Sequence, residues 1–340
     1  MSGVGRRIRP DVIYDNVNVT TEIEDFIESL SFRDNLSGES DSLSLTLSDR
    51  EGRWNNQWRP KKGSVLKASL LVSTGWDDSR AKSRFLGIFE IDELGISGPP
   101  MTSNVRGLSV PESSSLRKSG KSRAWEKSSL KAIAGAIAKA NGMSLYFSAD
   151  ENPSYDRIDQ EGQTDLAFLM KLCGDAGLSL KVANKKIIIL DEERLEKGTS
   201  VMIISRKDKA MKSYSGKDAL TTMYRSCSVK YTDPKKKKTY RYVFTPSKAP
   251  ATSRVLYINE EVKSSAAAAT LARKKLREAN KDAITFSVVL AGFLNVFAGQ
   301  VVTLKDFGSF NGKYLVTSMS ASVGKGTDTS LELRKCLEGY

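Results

Sequence analysis

The chain has 340 residues, 39% of them hydrophobic and 27% charged, with a formal net charge of +13. That length sets an expectation of about two to three domains with a sizeable core, and the charge favours polyanionic or acidic partners. Histidine is absent and the three cysteines are widely spaced, which removes the commonest general base and metal ligand and leaves no disulfide framework or cysteine zinc site.

Arg6, Arg7 and Arg9 are followed by Pro10-Asp11 instead of an apolar run, so no secretory leader is expected. The cysteine usage fits synthesis in a reducing cytoplasm, and no stretch is apolar for long enough to span a bilayer. Up to Val110 the pattern is β. Leu43, Leu45 and Leu47 alternate with Ser44, Thr46 and Ser48, as in a half-buried strand. Stretches 65–72, 85–91 and 105–110 add further strands. The polar loop 49–60 carries Trp54 and Trp58, expected to close one end of a β unit or, alternatively, to meet a partner.

Residues 111–120 are serine-rich and basic and read as a linker. The period then becomes helical. Leu130, Ile133, Ala134, Ile137 and Ala138 share a face, with Ser128 or Ser129 as cap and Asn141-Gly142 as stop. A second helix starts at the cap Thr164, carries Leu166, Leu169, Met170 and Cys173 on one side, and ends at Gly177. Cys173 is expected to be an inert core thiol. Two short strands follow at 178–182 and 186–190. Further on, β-like runs 226–231 and 240–244 flank a tip containing Lys235, Lys236, Lys237 and Lys238, and an alanine-rich helix covers about 264–280. Strands at 285–290 and 300–304 lead into the last β segment.

One pattern occurs twice. Gly63-Ser64-Val65-Leu66, then Phe85-Leu86-Gly87 with a strand, a turn at Gly98 and a strand at 104–108 form the first copy. Gly299-Gln300-Val301-Val302, then Phe310-Asn311-Gly312 with a strand, a turn at Gly324 and a strand at 330–333 form the second. The echo pairs Gly63 with Gly299 and Gly87 with Gly312, and points to two similar walls in one chain.

No phosphate-binding glycine loop, dinucleotide fingerprint or nucleophile elbow is present. The acidic clusters Glu22-Ile23-Glu24-Asp25, Asp77-Asp78 and Asp191-Glu192-Glu193 lack calcium-loop spacing. The four-lysine tip is a candidate polyanion or partner contact, set against a solvated hairpin end whose like charges discourage edge pairing. No catalytic, cofactor or metal residue is assigned.

The order of motifs resembles the phage late-control D family of tail hub proteins. It is carried by Ser40 to Asp49 with Trp54 and Gly63, by Phe85 to Asp92 with Gly98-Pro99-Pro100, and by Leu116-Arg117 and Trp125-Glu126. It continues through Gln160 with Thr164 to Leu169, Ala176-Gly177, Ala266 to Leu276, Gly299 to Val302, Gly312 to Val316 and Gly326 to Leu331. Members often carry a non-catalytic histidine in the strand before the final glycine turn, where this chain has Ser318 to Val323.

The resemblance implies a mainly β, α+β protein: a tube-like β-barrel domain over 1–110, a small α+β domain over 111–215, and a second barrel domain with the alanine-rich helix over 216–340. It implies a homotrimer whose six barrels adapt a tail tube to a three-fold spike, without catalysis or cofactor. The partners would be tube, spike, baseplate wedge and possible tape-measure proteins. The excess positive charge is expected on the outer face. The alternatives are a tail-tip cell-wall hydrolase using carboxylates and a nucleic-acid-binding module using the lysine hairpin.

Overall fold

The computed structural model describes residues 7–73, 81–110, 114–234 and 237–340. The first β unit contains β1 (Arg7–Tyr14), β2 (Val17–Asn18), the short helix α1 (Thr20–Ile23), β3 (Ile27–Asn35), β4 (Ser42–Ser48), β5 (Val65–Ser73), β6 (Lys82–Ser97) and β7 (Thr102–Leu108). Alternation settles its faces: Leu43, Leu45 and Leu47 are buried while the intervening serines and Thr46 stay partly exposed.

A middle α+β layer follows, with β8 (Lys121–Ser129), α2 (Leu130–Ala140), β9 (Ser144–Ser148), β10 (Ser154–Gln163), α3 (Asp165–Ala176), β11 (Ser179–Ala183), β12 (Lys186–Leu190) and α4 (Glu192–Glu196). Ser129 caps α2 by accepting from the Ala132 N–H, and the five residues expected to face the core are the buried ones. Thr164 caps α3, and Gly177 ends it at φ +70°. The buried side of α3 is Phe168, Leu169, Leu172, Cys173 and Ala176, whereas Met170 is exposed. The bulkier Phe168 and Leu172 turn the helix away from the stripe that the sequence suggested. The expected linker is not a free tether in its described part. Leu116 is fully buried in the middle core, and its carbonyl accepts from the Leu166 N–H at 3.1 Å.

The second β unit begins with β13 (Met202–Ser205) and β14 (Met211–Asp218). A subdomain then intervenes, with β15 (Ser226–Asp233), β16 (Lys238–Phe244), β17 (Val255–Ile258) and α5 (Ser265–Asn280). The unit resumes with β18 (Ile284–Ala291), β19 (Val301–Lys305), β20 (Gly312–Val323) and β21 (Thr327–Lys335). The three inserted strands form their own sheet. Alternation sends Cys227, Val229 and Tyr240 toward α5, which buries Ala268, Ala272 and Leu276 against them.

Both β units share one open 13-stranded sheet, ordered β14-β18-β21-β20-β3-β4-β7-β6-β5-β1-β2 with β19 and β13 branching from β20. No sheet closes on itself among the described residues. One apolar core runs through both units, including Leu30, Phe32, Phe89, Phe286, Tyr314 and Met319.

The two units are built alike. Gly63 (φ +87°) and Gly299 (φ +88°) each donate to the long strand opposite, at Ile91 and Val316, both at 2.8 Å. Ile91 and Val316 return the bond to Ser64 and Gln300, both at 2.9 Å. Gly87 lies opposite Ala68, five residues after Gly63, and Gly312 lies opposite Leu304, five after Gly299. Bulges fall at matching places, Asp92 with Thr317 and Glu28 with Lys212. Strands β3, β4, β7 and β6 therefore correspond residue by residue to β14, β18, β21 and β20. The units differ at their outer layer: β1 runs antiparallel to β5, while β13 runs parallel to β19.

All additions sit at one end of this wall. The β3–β4 turn, the exit of β7 into the middle layer and the insertion between β14 and β18 share a rim, because Ser42 pairs with both Arg33 and Leu108. The opposite rim carries the turns around Gly98 and Gly324.

Candidate assembly interface

The internal junction between units is a strand seam. β20 pairs antiparallel with β3, matching Ser318 with Asn35, Ser320 with Arg33, Ser322 with Ser31 and Val323 with Leu30. On the core side this row buries Leu30, Phe32, Met319, Ala321 and Val323. The other face of the eight strands from β14 to β6 is covered by α4 at one end, over Arg334, and elsewhere is exposed or half-buried among the described residues and rich in serine and threonine, such as Ser31, Ser44, Thr46, Ser215, Ser287 and Ser320. Along its paired rows Arg33, Arg106, Lys212 and Lys217 are largely offset by Glu93, Asp328 and Glu332, with Arg106 at 3.3 Å from Glu93 and Lys212 at 2.5 Å from Asp328. Such a face is hydrated and close to neutral.

Two buried ion networks lock the additions to the wall. Lys181 on β11 reaches into the β3–β4 turn and pairs with Asp34 and, at 3.0 Å, with Asp41, while also donating to the Asn35 carbonyl at 2.7 Å. Asp34 in turn accepts from the Ala298 N–H at 2.7 Å, so one lysine joins the middle layer to both units. Burial pushes the Asp41 carboxyl up to about 6, with Lys181 opposing and Asp34 reinforcing the rise. The second network centres on Arg334 of β21, which pairs with Glu196 and, at 2.5 Å, with Glu192 of α4. Arg277 and Lys281 approach the same two glutamates at 2.7 and 3.6 Å. Burial alone would raise the Glu192 carboxyl, but Arg334, Lys281 and the Ser179 hydroxyl outweigh it and hold it below its usual value.

These contacts tie up one of the three acidic clusters, Asp191-Glu192-Glu193. Glu192 is neutralised by Arg334, Glu193 pairs with Arg273 at 2.5 Å, and Asp191 caps α4. Asp77 and Asp78 lie outside the described residues. No group of three or more histidine, cysteine or acidic side chains with the geometry to hold a metal occurs among the described residues. Burial pushes the Cys173 thiol up to about 12, in keeping with an inert core cysteine. Asp165, whose motif neighbour is Gln160, proves to be a buried structural carboxylate bonded by Lys121, Arg123, Gln160 and Asn141.

Trp54 and Trp58 do not reach these networks. They form an edge-to-face cluster with Phe26, with centroids 5.4 to 5.7 Å apart, beside the end of β4 on the rim away from the additions. Arg53 lies over the exposed Trp58 ring at 4.9 Å. Lys235 and Lys236 lie outside the described residues. Lys237 takes φ +49°, and the Lys238 ammonium sits 5.4 Å from the Tyr240 ring. The structure brings neither pair to the seam. The seam itself gave no local sequence signal, because its partners are nearly 300 residues apart.

A family model described as phage tail baseplate hub (GPD) matches residues 61–327. The chain belongs to the phage tail baseplate hub family. The hub chain is 28% identical over 175 residues to the probable baseplate hub protein of Escherichia phage 186, covering 51% of this chain and 42% of that protein. It is 28% identical over 193 residues to the counterpart in Escherichia phage P2, covering 55% and 46%. The matches thus span under half the length of these curated relatives. The fold is similar to the 43 kDa tail protein of prophage MuSo2 from Shewanella oneidensis, with TM-score 0.74, 14% identity and coverage of 97% and 99%. No helix among the described residues is long and apolar enough to cross a membrane.

Proposed function

We propose that this hub chain is a non-enzymatic symmetry adaptor: three copies form a ring of six like walls joining the tail tube to a three-fold spike. The carrying observation is the matched pair of β units, whose turns, bulges and registers coincide and which already stand side by side through a strand seam. A chain that supplies two equivalent walls presents six positions in a trimer, the match needed between six-fold and three-fold neighbours. Each wall closes as a barrel-like segment only within the ring. The serine-rich, charge-balanced face lines the channel, and the surplus of lysine and arginine lies outside it. The bare rim with Trp58 faces the tube. The rim bearing the middle layer and the insertion faces the spike and the surrounding wedge proteins, and the lysine tip offers an acidic partner its charge. A tape-measure protein would contact the lumen.

Native mass spectrometry of the purified protein tests this. A trimer that binds tube or spike protein is the expected result. A persistent monomer without such binding overturns it.

A further inference from the structure

The wall ends on two unpaired strand edges, and each is the counterpart of an edge that is paired inside the chain. Among the described residues, β14 has β18 on one side and no strand on the other, and β6 beyond Ile91 has only β7. β14 corresponds to β3, and the Glu93–Gly98 stretch corresponds to Ser318–Val323. The internal copies of these edges are exactly those joined in the β3–β20 seam.

Exposure follows the same split. Leu30 is 0% exposed but its counterpart Tyr214 is 48%; Ala321 is 2% exposed but its counterpart Ile96 is 59%. Long edges carrying exposed apolar side chains are pairing sites unless something blocks them. Neither edge carries a proline, since Pro99 and Pro100 come only after Gly98, and the one charge on the core-facing side of β14, Asp218, stands at its last position.

We propose that β14 of one copy pairs antiparallel with the Glu93–Gly98 edge of β6 in the next copy, in the register of the internal seam. Glu93 then lies opposite Ala219, Leu94 opposite Asp218, Ile96 opposite Gly216, Ser97 opposite Ser215 and Gly98 opposite Tyr214. Gly216 makes room for Ile96: a side chain there would already meet Phe286 and Phe310, at 2.9 Å each. Lys217 falls diagonal to Glu93, an attractive cross-strand pair. The contact is heterologous, head to tail; repeating it closes a ring when the rotation between copies closes, as the proposed trimer requires, and gives an open filament otherwise. The seam presupposes the trimer proposed above and specifies how its copies join.

The test is a disulfide placed across the seam. Ser97→Cys with Ser215→Cys should give, on oxidation, covalent ladders that end at three chains on a non-reducing gel. Ser31→Cys with Ser322→Cys occupies the matching internal pair and should close within one chain, calibrating geometry and folding. Ser97→Cys with Ser213→Cys is out of register and should cross-link much less. If the unmodified protein is trimeric by native mass spectrometry and the internal pair closes, but the Ser97–Ser215 pair does not link copies, the seam is wrong and the ring stands. If the unmodified protein stays monomeric, the ring and the seam both fall.

Discussion

At the residue scale the most consequential side chain is Arg334. It is buried at the junction of β21, α4 and α5, and it neutralises Glu192 and Glu196 together. Arg334→Met leaves two buried carboxylates short of charge, a change that typically costs about 3–5 kcal/mol. The expected result is a denaturant midpoint lowered accordingly with an unchanged slope. Because the Glu192 carboxyl is held low, its stabilising contribution is fully present above the ordinary glutamate value and is lost as pH falls below that value and through the lowered one.

Asp41 has the opposite sign. Its carboxyl is raised to about 6, so its contribution is fully present below the ordinary aspartate value and is lost as pH climbs through about 6. Asp41→Asn keeps an acceptor for the Asn35 N–H, which Asp41 now accepts at 2.9 Å, and removes a charge beside Asp34. Urea titrations at several pH values should show the variant equal to or more stable than the parent at pH 7, by up to about 1–3 kcal/mol. The stability slope between about pH 4 and 6 should flatten. A large loss at pH 7 would mean that the Lys181–Asp41 attraction outweighs the burial cost.

At the scale of elements, the matched turns make a quantitative demand. Gly63 and Gly299 hold nearly the same positive φ and make the same two backbone bonds. A Cβ at either position meets nothing closer than 3.4 Å, so backbone strain dominates. Gly63→Ala and Gly299→Ala should each cost about 1–2 kcal/mol, seen as similar drops in thermal midpoint. A large inequality would mean that the turns differ in role. The echo was legible in the sequence because positive φ and tight strand entry demand glycine, and these positions recur in order. The caps of α2 and α3 were legible for the same kind of local reason: Ser129 and Thr164 each accept from the N–H three residues on, whereas Ser264, the cap of α5, lies inside the span expected for the helix itself. The β3–β20 seam was not legible, since strand pairing between distant segments depends on three-dimensional register and leaves no local pattern. Neither were the ion networks, because Lys181, Arg334 and Glu196 look like surface charges until their partners are known.

At the scale of the whole molecule, the correspondence of the units says where the insertion belongs. In the first unit β3 and β4 are joined by six residues, 36–41; at the equivalent place in the second, 65 residues (220–284) separate Ala219 from Thr285. The base of the insertion is pinched shut by the Ala219 N–H donating to Ala283 at 3.0 Å, and the inserted sheet has its own core with α5. The wall therefore does not need the insertion to connect its strands. Replacing 220–284 by the Leu36-Ser37-Gly38-Glu39-Ser40-Asp41 turn should leave a folded chain. It would lose the α5 pairs of Arg277 and Arg273 with Glu196 and Glu193, so the thermal midpoint should fall by several degrees, about 2–4 °C for each kcal/mol lost. If the ring is made by the two units alone, native mass spectrometry of the shortened chain still shows a trimer. If trimers vanish while circular dichroism remains rich in strand, the insertion itself holds the copies together, and the six-wall account of the assembly has to be abandoned.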